Sequence, residues 1–155
     1  MPNTTSPKAL AIIKSSEGEK LTAYYCPANI PSIGYGHTAT VTKADVANRK
    51  TITVAEAERL LRGDLADAER DVAKLVKVPV NDDQFGALVS FTYNLGAGAL
   101  ASSTLLKRIN AKASLKDIEA SWLQWNKARV NGTLTPLRGL TIRRQAEFDL
   151  FKSGA

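Results

Sequence analysis

The chain has 155 residues, enough for one domain, or two lobes sharing a core, with a sizeable apolar interior. With 44% hydrophobic and 23% charged residues it is not a disordered chain, and no apolar run approaches the roughly 18 residues of a membrane-crossing helix. The net charge of +6 is uneven: residues 1–104 carry 11 basic and 11 acidic side chains, residues 105–155 carry 10 and 4. That asymmetry suits an anionic partner such as nucleic acid, a membrane surface or an acidic polymer, and equally a solvated basic face.

The start, Met1-Pro2-Asn3-Thr4-Thr5-Ser6-Pro7-Lys8, is polar and has no hydrophobic signal core. Cys26 is the sole cysteine, so no intramolecular disulfide demands an oxidising compartment. The cytoplasm is therefore the expected place of accumulation. Ser6-Pro7 reads as an N-cap and first helical residue. The helix runs to Glu17, with Leu10 and Ile13 on its apolar stripe and Gly18 at its end. Residues 18–50 read as short strands and turns, with Pro27, Pro31, Gly34 and Gly36 between Tyr24-Tyr25, Ile33, Tyr35 and Val41. Thr53 and Glu56 have capping-box spacing for a long helix ending near Lys77. Asn81-Asp82-Asp83 caps a helix that is apolar nearly all round and ends at Gly96-Ala97-Gly98. Further helices are predicted at about 103–111, 115–126 and 137–152.

Glu17 lies seven residues after Leu10, on the apolar stripe and at the negative end of the helix dipole. Burial and that dipole both favour a protonated carboxyl, the state a general acid needs. A surface glutamate beside a glycine is the bland alternative.

Downstream of Glu17-Gly18 stand Leu21, Tyr24-Tyr25, Cys26, Ser32, Ile33-Gly34-Tyr35-Gly36-His37 and Thr38. This resembles the start of the phage-type lysozymes, glycoside hydrolase family 24, which include endolysins of tailed phages. The family pattern sets a glutamate, eight residues, an aspartate or less often a cysteine, five residues, then a threonine. Glu17, Cys26 and Ser32 fall on those spacings. Ser90–Gly96 with Ser102–Leu106, and Gly139-Leu140 with Arg143-Arg144, Glu147 and Leu150-Phe151, resemble the later endolysin helices. The resemblance spans about residues 8–152.

It implies a mainly α, α+β, lysozyme-like fold of one catalytic domain, 1–155. A small antiparallel β lobe at about 18–52 would face, across a cleft, a helical lobe of about 53–155 plus the N-terminal helix at about 7–17. It implies that Glu17 is the catalytic acid, that Cys26 takes the aspartate's place and that Ser32 keeps the threonine's hydroxyl. A Cys26 thiolate would take a proton from water or attack carbon; a small semi-buried filler is the alternative reading. Tyr35, Tyr93 and Asn94 are candidate substrate contacts, with packing and capping the other reading of Tyr93 and Asn94. Arg138 and Arg143 are both candidates for an arginine near the acid. His37 is expected to pair with Asp64 rather than to bind metal, since no zinc-ligand spacing accompanies it. Trp122 and Trp125 read as core and interlobe packing.

No cofactor and no metal are implied. The implied activity is hydrolysis of the β-1,4 bond between N-acetylmuramic acid and N-acetylglucosamine in peptidoglycan, an anionic partner for the basic last third. A lytic transglycosylase, needing one glutamate, is the nearest alternative, and a non-catalytic peptidoglycan binder a second. Neither nucleic-acid motifs nor a stable membrane insertion is expected; the basic, apolar stretch 137–152 is interrupted by Arg144. By family analogy the chain would be a monomer, held in the host cytoplasm until a holin releases it to the periplasm and wall.

Overall fold

The computed structural model describes residues 4–154. Met1-Pro2-Asn3 of the polar start, and Ala155, lie outside the described residues. The chain forms two compact units, residues 13–66 and residues 1–12 with 67–155.

Helix α1 is Pro7–Glu17. The Ser6 hydroxyl accepts the Ala9 N–H at 3.3 Å and so supplies the expected N-cap. In the unit 13–66, β1 (Lys20–Tyr25) and β2 (Pro31–Gly34) pair antiparallel, with Tyr24 opposite Ser32 and Tyr25 opposite Pro31. A bulge lies between Lys20 and Tyr24. The strand-and-turn reading of 18–50 needs one correction, because Lys43–Ala47 forms a short helix, α2. Thr42 and Asp45 cap it reciprocally, a signal present in the sequence at Thr-x-x-Asp spacing. Helix α3 (Val54–Leu75) starts where Thr53 accepts the Glu56 N–H at 3.1 Å. Its Ala57, Leu61 and Leu65 are buried, and so are Ile13, Ala23 and Ile33.

The larger unit is built on α4 (Asp82–Leu95), which Asn81 and Gln84 cap reciprocally. All residues from Phe85 to Thr92 are buried, as a helix apolar on every side requires. The helix break at Gly96 opens into a further helix, α5 (Ala97–Ser102), that the glycines had concealed. Then come α6 (Thr104–Asn110), α7 (Leu115–Leu123) and α8 (Arg138–Ser153), which packs against α4 and α7. Between α7 and α8, β3 (Lys127–Val130) and β4 (Thr133–Pro136) form a second hairpin that was not foreseen. Its turn is Asn131-Gly132, both with positive φ, the signature of a tight hairpin turn.

Trp122 is fully buried and meets Phe91, Phe148 and Phe151 at ring-centre distances of 6.0, 6.2 and 5.3 Å. Beside it Glu147 is wholly buried, as is Arg144. The Glu147 carboxylate accepts from Arg144 Nε at 2.7 Å, from the second Arg144 amino group at 2.9 Å and from Trp122 Nε1 at 3.1 Å. It also accepts from the Ser90 hydroxyl and, at 3.4 Å, from Arg143 Nε. Burial pulls the Arg144 guanidinium below its ordinary pKa, while Glu147 opposes that pull. Removing the carboxylate takes the charge partner from the fully buried Arg144 guanidinium. Glu147→Ala should therefore lower unfolding stability by ~3–5 kcal/mol, read from the midpoint of urea denaturation. A change within a few tenths would show that the cluster does not depend on this charge.

Candidate active site

In the unit 13–66, the last residue of α1 is Glu17, and the chain leaves the helix through Gly18. Glu17 is half-buried rather than fully enclosed. Its Oε2 lies 3.5 Å from where a Cβ on Gly36 would stand, so the carboxylate rests against the Gly34–Gly36 turn. Ile33 and His37 close that turn by exchanging both backbone hydrogen bonds at 2.9 Å. Gly34 and Gly36 have φ of 69° and 81°, a region where side chains other than glycine's are strained.

His37 locks the far side. Its Nδ1 lies 2.8 Å from Asp64 Oδ2, and its Nε2 lies 2.7 Å from the Thr40 hydroxyl. The expected His37–Asp64 pair is thus present, with the ring 95% buried. Both ring nitrogens have partners, which gives the histidine a structural task.

Cys26 begins the reversal between β1 and β2. Its N–H donates to the Ile30 carbonyl at 3.0 Å, and its own carbonyl accepts from Asn29 at 2.7 Å. The thiol is half-buried. The backbone amide of Ile30 holds it below its ordinary pKa; the Ala28 amide and the Ser32 hydroxyl act the same way, and partial burial opposes them. Ser32 is buried and its hydroxyl also donates to the Ile30 carbonyl at 2.9 Å. One proton cannot serve both acceptors at full strength, so ionising the sulfur draws it from the carbonyl to the thiolate.

Tyr24 precedes Cys26 by two residues. Burial, then the negative charges of Cys26 and of Glu17, raise its hydroxyl pKa. The sequence assigns Tyr24 no role. Period-two spacing along a strand was the available signal.

Tyr35, a candidate substrate contact, is buried at 6% exposure. Its hydroxyl donates to Glu19 Oε2 at 2.8 Å. That bond, then burial and the charges of Glu19 and Glu58, push its pKa up to about 12. Neither Glu19 nor this pairing had a recognisable sequence signal.

The remaining candidates belong to the larger unit. Tyr93 is half-buried near the end of α4, and Asn94 beside it is exposed. Arg138 is exposed on the first residue of α8. Arg143 is buried and engages the Ser90 hydroxyl and carbonyl, each at 3.3 Å, as well as Glu147. Trp125 is half-buried, edge-on to Phe91 at 5.6 Å. Among the described residues no three His, Cys, Asp or Glu side chains gather as metal ligands.

Comparison with known proteins bears on this constellation. The family model described as Phage lysozyme matches residues 14–147. The chain belongs to the phage lysozyme family. An endolysin of Acyrthosiphon pisum secondary endosymbiont phage 1 is 42% identical over 148 residues, covering 96% of this chain and 97% of the relative. The endolysin from Escherichia coli O157:H7 phage FAHEc1 superposes with a TM-score of 0.83 at 36% identity, over 97% of this chain and 94% of that one. The muramidase domain of SpmX from Asticaccaulis excentricus gives a TM-score of 0.84 at 34% identity, over 94% and 95%. These matches establish the mainly helical lysozyme-like fold with small antiparallel sheets.

In this phage lysozyme the glycine turn depends on backbone that only glycine adopts at low cost. Gly36→Ala should lose ~1–2 kcal/mol of stability from the left-handed backbone alone, measured by denaturant titration. Lytic activity should fall further than the stability loss accounts for, because the new methyl touches the Glu17 carboxylate.

Proposed function

We propose that this phage lysozyme-family glycoside hydrolase cleaves the β-1,4 bond between N-acetylmuramic acid and N-acetylglucosamine in peptidoglycan, with Glu17 as the general acid. The observation that carries the reading is the placement of Glu17 at the end of α1 with its carboxylate against the Gly36 turn. In this reading the Glu17 carboxyl gives its proton to the glycosidic oxygen as the bond to the anomeric carbon breaks. The Cys26 thiolate takes a proton from the water whose oxygen attacks that carbon, and the Ser32 hydroxyl orients the pair.

Tyr93, Asn94, Arg138 and Arg143 are proposed as substrate contacts contributed by the larger unit. Arg143 is held in one orientation by Ser90 and Glu147, whereas exposed Arg138 is free to adapt to an anionic polymer. The two units are read as one catalytic domain, acting as a monomer. Among the described residues no helix is long and apolar enough to cross a membrane. By analogy with endolysins, the protein waits in the host cytoplasm until a holin opens the way to the wall.

Glu17→Gln should reduce turbidity clearance of permeabilised Gram-negative cells by at least ~10²-fold. Mass spectrometry of wild-type digests should show reducing muramic ends rather than ends one water lighter. Normal lysis by Glu17→Gln would falsify the assignment, and anhydro ends would replace hydrolysis by transglycosylation.

The thiolate makes a separate pH prediction. An acid that must be protonated and a thiol that must be ionised work together over the plateau between their pKa values. Above the thiol pKa no more thiolate forms while the acid keeps losing its proton, so the rate falls. Because the Cys26 pKa is lowered, that alkaline fall should lie below the ordinary thiol range. Cys26→Asp should move it further towards acid, because a carboxylate ionises well below a thiol, and Cys26→Ser should lose most of the activity. A kcat/KM profile with its alkaline limb unchanged in Cys26→Asp excludes the thiolate role.

A further inference from the structure

Lys14 and Glu19 stand on either side of Glu17 in the chain, three residues before it and two after. Both engage the same side chain. The Lys14 ammonium sits 5.6 Å from the centre of the Tyr35 ring, and Glu19 accepts the Tyr35 hydroxyl at 2.8 Å. Lys14 is itself fixed by an ion pair with Glu58. Tyr35 is 94% buried, and its neighbour Gly36 is the residue that faces Glu17 Oε2. We propose that Tyr35 and Glu19 are positioning residues that set the orientation of the Glu17 carboxyl. This rests on the reading of Glu17 as the acid.

The physical argument is one of leverage. Gly18, with φ of 75°, follows Glu17, closes the helix end with its N–H on the Lys14 carbonyl at 3.0 Å and turns the chain out of the helix. Helix ends fray, since their last carbonyls lack intrahelical partners. A general acid working from such a position must hold its proton within hydrogen-bond reach of the glycosidic oxygen. The hydrogen bond from Tyr35 to Glu19 ties the chain just past Gly18 to the glycine turn. The contact of Lys14 with the same ring ties the preceding helical turn to that point. The carboxylate is thereby bracketed by two anchors on one buried ring, with the turn behind it. The Tyr35 hydroxyl, its pKa raised to about 12, stays protonated and donates throughout the working range. It touches Glu19 and not the reacting atoms, so its effect passes through Glu17.

Three variants test this. Tyr35→Phe keeps the ring and its contact with Lys14 and loses only the hydroxyl. It should lower kcat by about 3- to 10-fold with KM nearly unchanged, since a ~1 kcal/mol bond corresponds to roughly a fivefold change in rate. Glu19→Ala should lose a similar factor, and the Tyr35→Phe, Glu19→Ala double variant should be no worse than either alone, because both break one bond. Glu19→Gln keeps an acceptor oxygen and should retain most of the rate. Soluble peptidoglycan fragments serve as substrate, and circular dichroism confirms that each variant is folded. Overturning results are wild-type kcat in Tyr35→Phe, additive losses in the double variant, or losses confined to KM. Glu17→Gln is measured alongside. If it remains active, the functional reading fails; if it is inactive while Tyr35→Phe matches wild type, only the positioning role fails.

Discussion

Ile33 and His37 exchange both backbone hydrogen bonds across three residues, and that closure forces Gly34 and Gly36 into positive φ. The turn would be expensive if it had to hold itself. It is held from outside, by Asp64 and Thr40 on the His37 ring and by Glu19 on Tyr35. A Cβ on Gly34 would meet Ala57 Cβ at 3.4 Å, so the turn also lies directly on α3. Alternate residues of five thus bind different supports, and Gly36 between them is left bare against Glu17. The absence of a side chain there is what admits the carboxylate.

The larger unit meets a different constraint. Glu147 satisfies two guanidinium groups and an indole from a fully buried position, and Ser90 of α4 fills what remains. Such a group contributes little net stability over an apolar core of equal volume, because desolvating the charges costs several kcal/mol each. Its value lies in direction. Apolar packing tolerates rotation of α8 against α4, whereas Ser90, Arg143, Arg144 and Glu147 fit in one register. Arg143 meets Ser90 of α4 as well as Glu147 of its own helix.

Local chemistry was legible in the sequence where it was local in the chain. The caps at Ser6, Thr53 and Asn81, the burial of α4 and the order Glu17, Cys26, Ser32 follow from spacings of a few residues. The His37–Asp64 contact was legible only through resemblance, since 27 residues separate the partners. Helix α2 and the β3–β4 hairpin carried adequate signals in Thr42-x-x-Asp45 and Asn131-Gly132, which the density of turn residues outweighed. The Tyr35–Glu19 bond was not legible, because the glycines on either side let the turn fold Tyr35 inward onto Glu19. The pairing depends on tertiary approach, which no periodicity encodes.

The cysteine at the usual aspartate position changes the proton arithmetic of the site. A glutamic acid and a thiol at ordinary values, about 4.3 and 8.5, ionise in the wrong order, so the acid loses its proton before the thiol does. Between those values the fraction of molecules with both groups correctly set is constant, at about 10⁻⁴, and each unit removed from the gap raises it tenfold. With an aspartate the gap nearly closes and the penalty disappears. A family member that carries cysteine therefore needs a device that lowers the thiol. The reversal after Cys26 supplies one, because the Ile30 and Ala28 amides and the Ser32 hydroxyl hold the thiol below its ordinary pKa. The same reversal puts Asn29 at φ of 61°, a conformation asparagine tolerates better than most residues. Straightening that reversal would return the thiol towards its ordinary pKa, so on the proposed role of Cys26 the loop's shape bears on the chemistry.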